Sequence, residues 1–131
     1  MVLAVADDIT AAWAEVRGSK AKYLIVELDG NDAKLAAKGG LDADFEAFKA
    51  DLPEDQPRYG VYNLMWTHED GRPMSKILFV NYVPDGCKNM GAKFNYAQQK
   101  SKVEPVFQPI NKQIQINDRI DLNEDEWKKM F

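Results

Sequence analysis

Two runs, RYGVYNLMW at residues 58–66 and SKILFVNYV at residues 75–83, constrain the fold of this chain most strongly. Both are rich in aromatic and β-branched residues, and the polar segment THEDGRPM between them carries an Asp70-Gly71 pair. Such a pair supplies the backbone conformation of a tight turn, so the two runs specify a β-hairpin. They are also apolar almost throughout, rather than at alternate positions. Strands of that kind are covered on both faces, which places this hairpin in the middle of a layered domain.

The rest of the chain supplies the covers. DDITAAWAEV at residues 7–16 reads as a helix with Asp7 or Asp8 as its N-cap, Ile9, Trp13 and Val16 on one face, and Gly18 at its end. KYLIVELDG is a strand that runs into an Asp29-Gly30 turn and pairs with a short strand near residues 33–37. Gly39-Gly40 then reads as a flexible turn. In DADFEAFKADLP, Asp42 or Asp44 caps a short helix, Phe45 and Phe48 share a face, and Pro53 follows the last turn. PDGCKN is a loop, residues 90–104 a helix, QIQIN a short strand, and Asn123 or Asp121 caps a last helix that includes Trp127. This order predicts an α+β fold with a mixed central β-sheet flanked by helices on both faces. At 131 residues and 45% hydrophobic, the chain suits a single domain, residues 1–131, with one ordinary core.

Composition excludes several functions. Seventeen basic residues against 21 acidic ones leave a net charge of -4, which argues against nonspecific nucleic-acid binding. Cys87 is the sole cysteine, so no internal disulfide forms. No charged-then-apolar leader precedes the first helix, and the expectation is a cytoplasmic monomer. The apolar runs are too short to span a bilayer.

Nucleophile, base and metal candidates are equally sparse. His68, the one histidine, falls in the hairpin turn and reads as a polar turn residue. Cys87 has Lys88 beside it but no histidine partner, and one His with one Cys cannot build a zinc site. The acidic clusters DAD at 42–44 and NEDE at 123–126 lack the ligand spacing of a calcium loop and read as helix caps and first turns. The glycines form no phosphate cradle, and Trp13, Trp66 and Trp127 read as packing residues. No catalysis and no cofactor is expected.

What remains is a surface. GAKFNYAQQKSKVEP at residues 91–105 gathers Lys93, Lys100 and Lys102 in an acidic chain, among polar Gln98 and Gln99. Periodicity lets Phe94, Ala97 and Val103 face the sheet. Pro105 is expected to shorten or kink this helix near Glu104, because a helix-interior proline removes a hydrogen bond and collides with the preceding turn.

LPEDQPRYGVYN at 52–63, SKILFVNYVPDGCK at 75–88 and KFNYAQQK at 93–100 together resemble the actin-depolymerising factor homology domain of ADF/cofilins. The AVADD start and the closing QIQINDRIDLNEDEW resemble the same family, so the likeness covers the whole chain. The resemblance implies actin as partner, monomeric or filamentous, in the cytoskeleton, and promotion of filament depolymerisation or severing. Family members insert their N-terminal segment and the helix after PD into a cleft of actin. Carried onto this chain, that surface is Met1, Val2, Leu3, Met90, Lys93, Phe94, Ala97, Gln98, Lys100 and Ser101. Met90 and Phe94 then fill a groove on actin while the lysines orient the helix. Lys93 keeps the second basic position of the helix motif, whereas Gly91 replaces the first and Ser101 replaces an aspartate.

The family's filament-side contact maps to Lys76, Arg72, Lys128 and Lys129, with Met74 at one position that is normally basic. Monomer binding is therefore better supported than filament severing. The serines are Ser19, Ser75 and Ser101, so the N-terminal phosphorylation switch of vertebrate-type cofilins is not expected. Actin is itself acidic, so long-range steering should be weak. LPEDQPRYGVY, HEDGRP, GCK and the ending DLNEDEWKKMF are also similar to glia maturation factor, a branch that binds the actin-related complex at filament branches and promotes debranching. Phosphoinositide head groups are a further partner class that basic edges in this family meet.

Overall fold

The computed structural model describes residues 4–131. Among them the chain runs through β1 (Ala4–Val5), α1 (Asp7–Arg17), β2 (Ala21–Asp29), β3 (Asp32–Gly40), α2 (Phe45–Asp51), β4 (Arg58–Thr67), β5 (Pro73–Tyr82), α3 (Met90–Val103), β6 (Lys112–Ile116) and α4 (Glu124–Lys128). Short 3-10 turns follow α3 at Glu104–Val106 and precede α4 at Arg119–Asp121. The described strands form one mixed sheet in the order β1-β3-β2-β4-β5-β6. β1 with β3 and β5 with β6 are parallel pairs, and the others are antiparallel.

The apolar hairpin is the centre of the fold. β4 pairs with β5 without a break from Arg58↔Tyr82 to Thr67↔Pro73, and its other edge pairs with β2. Side chains alternate across the pleat into two cores. Leu24, Val26, Tyr59, Val61 and Phe79 meet Ile9, Trp13 and Val16 of α1 and Tyr96 and Val103 of α3 on one face. Tyr23, Ile25, Tyr62, Leu64, Leu78, Val80 and Tyr82 meet Phe45 and Phe48 of α2 and Trp127 of α4 on the other. Double-faced burial is the reason these strands carry no polar stripe.

Asp44 caps α2 by accepting from Ala47 N–H at 2.9 Å, and Asn123 caps α4 by accepting from Glu126 N–H at 3.2 Å. At α1 the sequence expectation fails. The N-cap is Ala6, whose side chain makes no cap bond, while Asp7 and Asp8 lie inside the first turn. There their charge still favours the positive end of the helix dipole.

Gly39 and Gly40 do not form a turn either; they extend β3 well beyond residue 37. The Tyr23 ring lies across Gly39 so closely that a Cβ there would be 2.2 Å from Tyr23 Cε2. At Pro105 the expectation holds: α-helical structure stops at Val103, and proline enters at the start of the 3-10 turn. Trp66 is only partly buried and packs against the Phe131 ring at 6.2 Å.

All five tyrosines, Tyr23, Tyr59, Tyr62, Tyr82 and Tyr96, are held above the ordinary phenol range, chiefly by burial. Hydrogen bonds to Asp51 and Glu124 raise Tyr23 and Tyr62 further. The unfolded chain releases these protons from about pH 10 upward while the folded chain keeps them. It therefore binds fewer protons than the folded chain, and stability falls as pH rises above about 10. Alkaline absorbance titration should show phenolate appearing together with loss of circular dichroism; gradual ionisation near pH 10 in a folded chain would contradict this.

Candidate functional site

Asn89 starts α3, its side chain accepting from Ala92 N–H at 3.0 Å. Tyr96, Gln99 and Val103 form the buried side of the helix. The Tyr96 hydroxyl accepts from Leu28 N–H at 2.7 Å, and the Tyr59 hydroxyl donates to the Tyr96 carbonyl. Two amide side chains add to this. Asn95 Nδ2 donates to the Gly30 carbonyl at 2.9 Å, and Gln99 Nε2 donates to Asn31 Oδ1 at 3.0 Å. The helix is thus fastened by hydrogen bonds to the β2–β3 turn as well as by apolar packing.

Its opposite side is a stripe of exposed residues: Met90, Phe94, Ala97, Gln98 and Ser101. With about 3.6 residues per turn these five fall within roughly 100° of one another. Phe94 and Ala97 therefore point away from the sheet, contrary to the periodicity reading, and only Val103 of that trio is buried. Phe94 stands about 200° round the helix from Tyr96, so the two aromatics cannot share a face. Met90 is 71% exposed and Phe94 69% exposed. Lys93 and Lys100 are half-buried along one edge of the stripe, and among the described residues neither forms an ion pair. Lys102 lies on the other flank, about 120° from Met90.

Met1, Val2 and Leu3 lie outside the described residues. The chain that follows them is tied to the same hairpin as α3: Ala4 N–H donates to the Asn31 carbonyl in the turn at 2.8 Å and Ala6 N–H to the Ala33 carbonyl of β3 at 3.2 Å.

The four cations of the second group are each engaged by a neighbour. Arg72 Nε is 2.6 Å from Asp70 Oδ2, and the Lys76 ammonium sits 5.8 Å from the Phe131 ring centre. Lys128 lies 3.8 Å from Glu124 and 3.9 Å from Asp125, and Lys129 lies 3.0 Å from Glu126. They do not make an unpaired basic patch. Arg72 also stands beyond the far end of β4 from Tyr59, which α3 touches, so the two groups occupy different regions of the molecule.

His68 is in the turn, its Nδ1 3.2 Å from Asp70. Cys87 is buried, with its sulfur 3.7 Å from the Asn89 carbonyl. Sequence reasoning missed Asn95 and Gln99 as fasteners. A signal was present, since Gln99 lies three residues from Tyr96 and so falls on the buried side.

The sequence profile of cofilin/tropomyosin-type actin-binding proteins matches residues 2–131. Actophorin of Entamoeba histolytica is 28% identical over 125 residues, 93% of this chain and 89% of that protein. Cofilin of Streptomyces griseoflavus has a solved structure that superposes with a TM-score of 0.84 at 28% identity, covering 95% of each chain. The solution structure of glia maturation factor from Caenorhabditis elegans gives a TM-score of 0.77 at 20% identity, covering 100% of this chain and 96% of that one, a likeness of fold alone. With the profile spanning residues 2–131 and a superposable fold, this chain belongs to the family of cofilin/tropomyosin-type actin-binding proteins.

Proposed function

We propose that this protein binds actin through the outward stripe of α3 and promotes filament disassembly in the cytoskeleton. The exposure of Met90 and Phe94 side by side on a helix pinned from behind is the observation that carries this reading. Large apolar side chains left in water beside cations are anchors for a partner's groove; they supply affinity while the charges set orientation. Lys93 and Lys100 are the orienting charges. Their action is short-range, because the whole chain carries -4 and bulk salt screens beyond about 8–10 Å.

Disassembly follows if the protein binds the actin arrangement of a loosened filament better than that of an intact one, since a ligand shifts a conformational balance only by its differential affinity. Arg72, Lys76, Lys128 and Lys129 are the proposed filament-side contact. Each must leave or share its present neighbour to meet a filament, which favours monomer binding as the primary activity. Relatives matched by sequence include an actophorin and a cofilin, whereas glia maturation factor is matched by fold, so branch removal through the actin-related complex is not favoured. Phosphoinositide head groups would compete for the Lys93–Lys100 edge.

The Lys93→Ala, Lys100→Ala double variant is expected to bind labelled actin monomers about tenfold more weakly and to lose most of its salt dependence. Its melting temperature should match the wild type, because neither lysine forms an ion pair among the described residues. Unchanged affinity in both monomer titration and co-pelleting would overturn the assignment of this edge.

A further inference from the structure

We infer that residues 28–31, the end of β2 and the β2–β3 turn, are a junction that sets β1 relative to α3, with Asn95 and Gln99 as positioning residues for the binding surface. This rests on the proposed function for its consequence, but not for its geometry. α3 and β1 meet at this junction. From α3 come the bonds of Asn95 to Gly30, Gln99 to Asn31 and Tyr96 to Leu28. From the N-terminal side comes Ala4 N–H to the Asn31 carbonyl. Among the described residues, Asn31 is therefore gripped by its backbone from β1 and by its side chain from α3.

β1 is otherwise held by Val5 and Ala6 against the core and by the Ala6 N–H bond to Ala33. It is two residues long and pairs in parallel only with β3, at Ala4↔Asp32 and Val5↔Ala33. So short a strand has no independent stability, and its position depends on the hairpin it touches. Gly30 holds φ at +62° in the centre of that turn, with open space where a Cβ would stand. Asp29↔Asp32 pairing closes the turn on either side, and the bonds from α3 add to that hold.

Gln99 points the same way. It is only 5% exposed, and its Oε1 has no partner among the described residues. An apolar side chain of similar size would avoid that unmet acceptor, so the amide is not explained by stability. Its one hydrogen bond given by the structure goes to Asn31, which makes it a positional device. Holding α3 and β1 in a fixed relation before the partner arrives reduces the ordering cost of binding.

Gln99→Leu and Asn95→Ala test this with three readouts: melting temperature, hydrogen exchange at the Ala4 and Ala6 amides, and affinity for labelled actin monomers. Gln99→Leu is expected to leave the melting temperature within a few degrees of wild type or raise it. In both variants exchange at Ala4 should accelerate severalfold, and affinity should fall about 3- to 10-fold. Unchanged exchange at Ala4 and Ala6 in both variants overturns the junction. If the wild type fails to bind actin, the proposed function falls while exchange still decides the junction. If the wild type binds but both variants bind equally well with accelerated exchange, the positioning role is overturned.

Discussion

Trp127→Ala is expected to lower the melting temperature by about 10–20 °C, a far larger loss of stability than any substitution on the exposed stripe of α3 should cause. Helix α4 has five residues, far below the length at which a helix holds itself in water, so packing decides whether it exists. Trp127 is 2% exposed and meets Phe45 edge-on at 5.1 Å, with Tyr62 and Phe48 at 6.2 and 6.4 Å. Its indole N–H also donates to the Asp121 carbonyl at 3.1 Å. Truncating a buried tryptophan costs about 3–5 kcal/mol, from lost transfer energy and the cavity left behind.

Apart from the flanking contacts of Leu122 and Phe131, what remains to hold α4 is the Asn123 cap and the 2.7 Å bond from the Tyr62 hydroxyl to Glu124. Those two bonds cannot replace the ring. Because α4 and α3 cover opposite faces of the sheet, monomer binding below the transition should survive in this variant, while any filament contact through Lys128 and Lys129 weakens. A melting temperature within a few degrees of wild type, followed by circular dichroism, would contradict the assignment of Trp127 as the anchor of α4.

The fold was legible where one physical demand dominated. Continuous apolar runs around Asp70-Gly71 could only be a doubly covered hairpin. A proline in a helical pattern shortens or kinks it, and α3 gives way at Val103. β1 left no trace, because two residues, alanine and valine, carry no period at all. The extension of β3 was hidden by Gly39, which reads as a turn former but is present because the Tyr23 ring leaves no room for a side chain.

The binding surface was half legible. Its lysines stood out against an acidic chain, but apolar residues surround α3 on several sides, so apolarity alone could not say which would be buried. Tyr96 settles that question through its bonds to Leu28 and Tyr59, and these are long-range contacts that no local pattern reports. Once Tyr96 faces inward, helical geometry sends Phe94 outward.

Phe94→Ala carries the second large expectation. The side chain supports little of the fold, since it is 69% exposed and belongs to neither core cluster. Its removal should leave the melting temperature unchanged. As the central aromatic of the stripe, flanked by Met90 and Ala97, it is placed as a binding hot spot, and losing such an anchor costs about 2 kcal/mol or more of affinity. That corresponds to about 30-fold or more in Kd. Gln98 and Ser101, at the polar end of the stripe, should matter far less.

The most direct measurement is a titration of fluorescently labelled actin monomers, loaded with ADP or ATP, with wild-type protein and with Phe94→Ala at one ionic strength. The expected result is saturable wild-type binding and a Kd raised about 30-fold or more in the variant, with identical thermal unfolding of the two proteins. Equal affinities for a folded variant, or no binding by the wild type to either form of actin, would contradict the placement of recognition on α3.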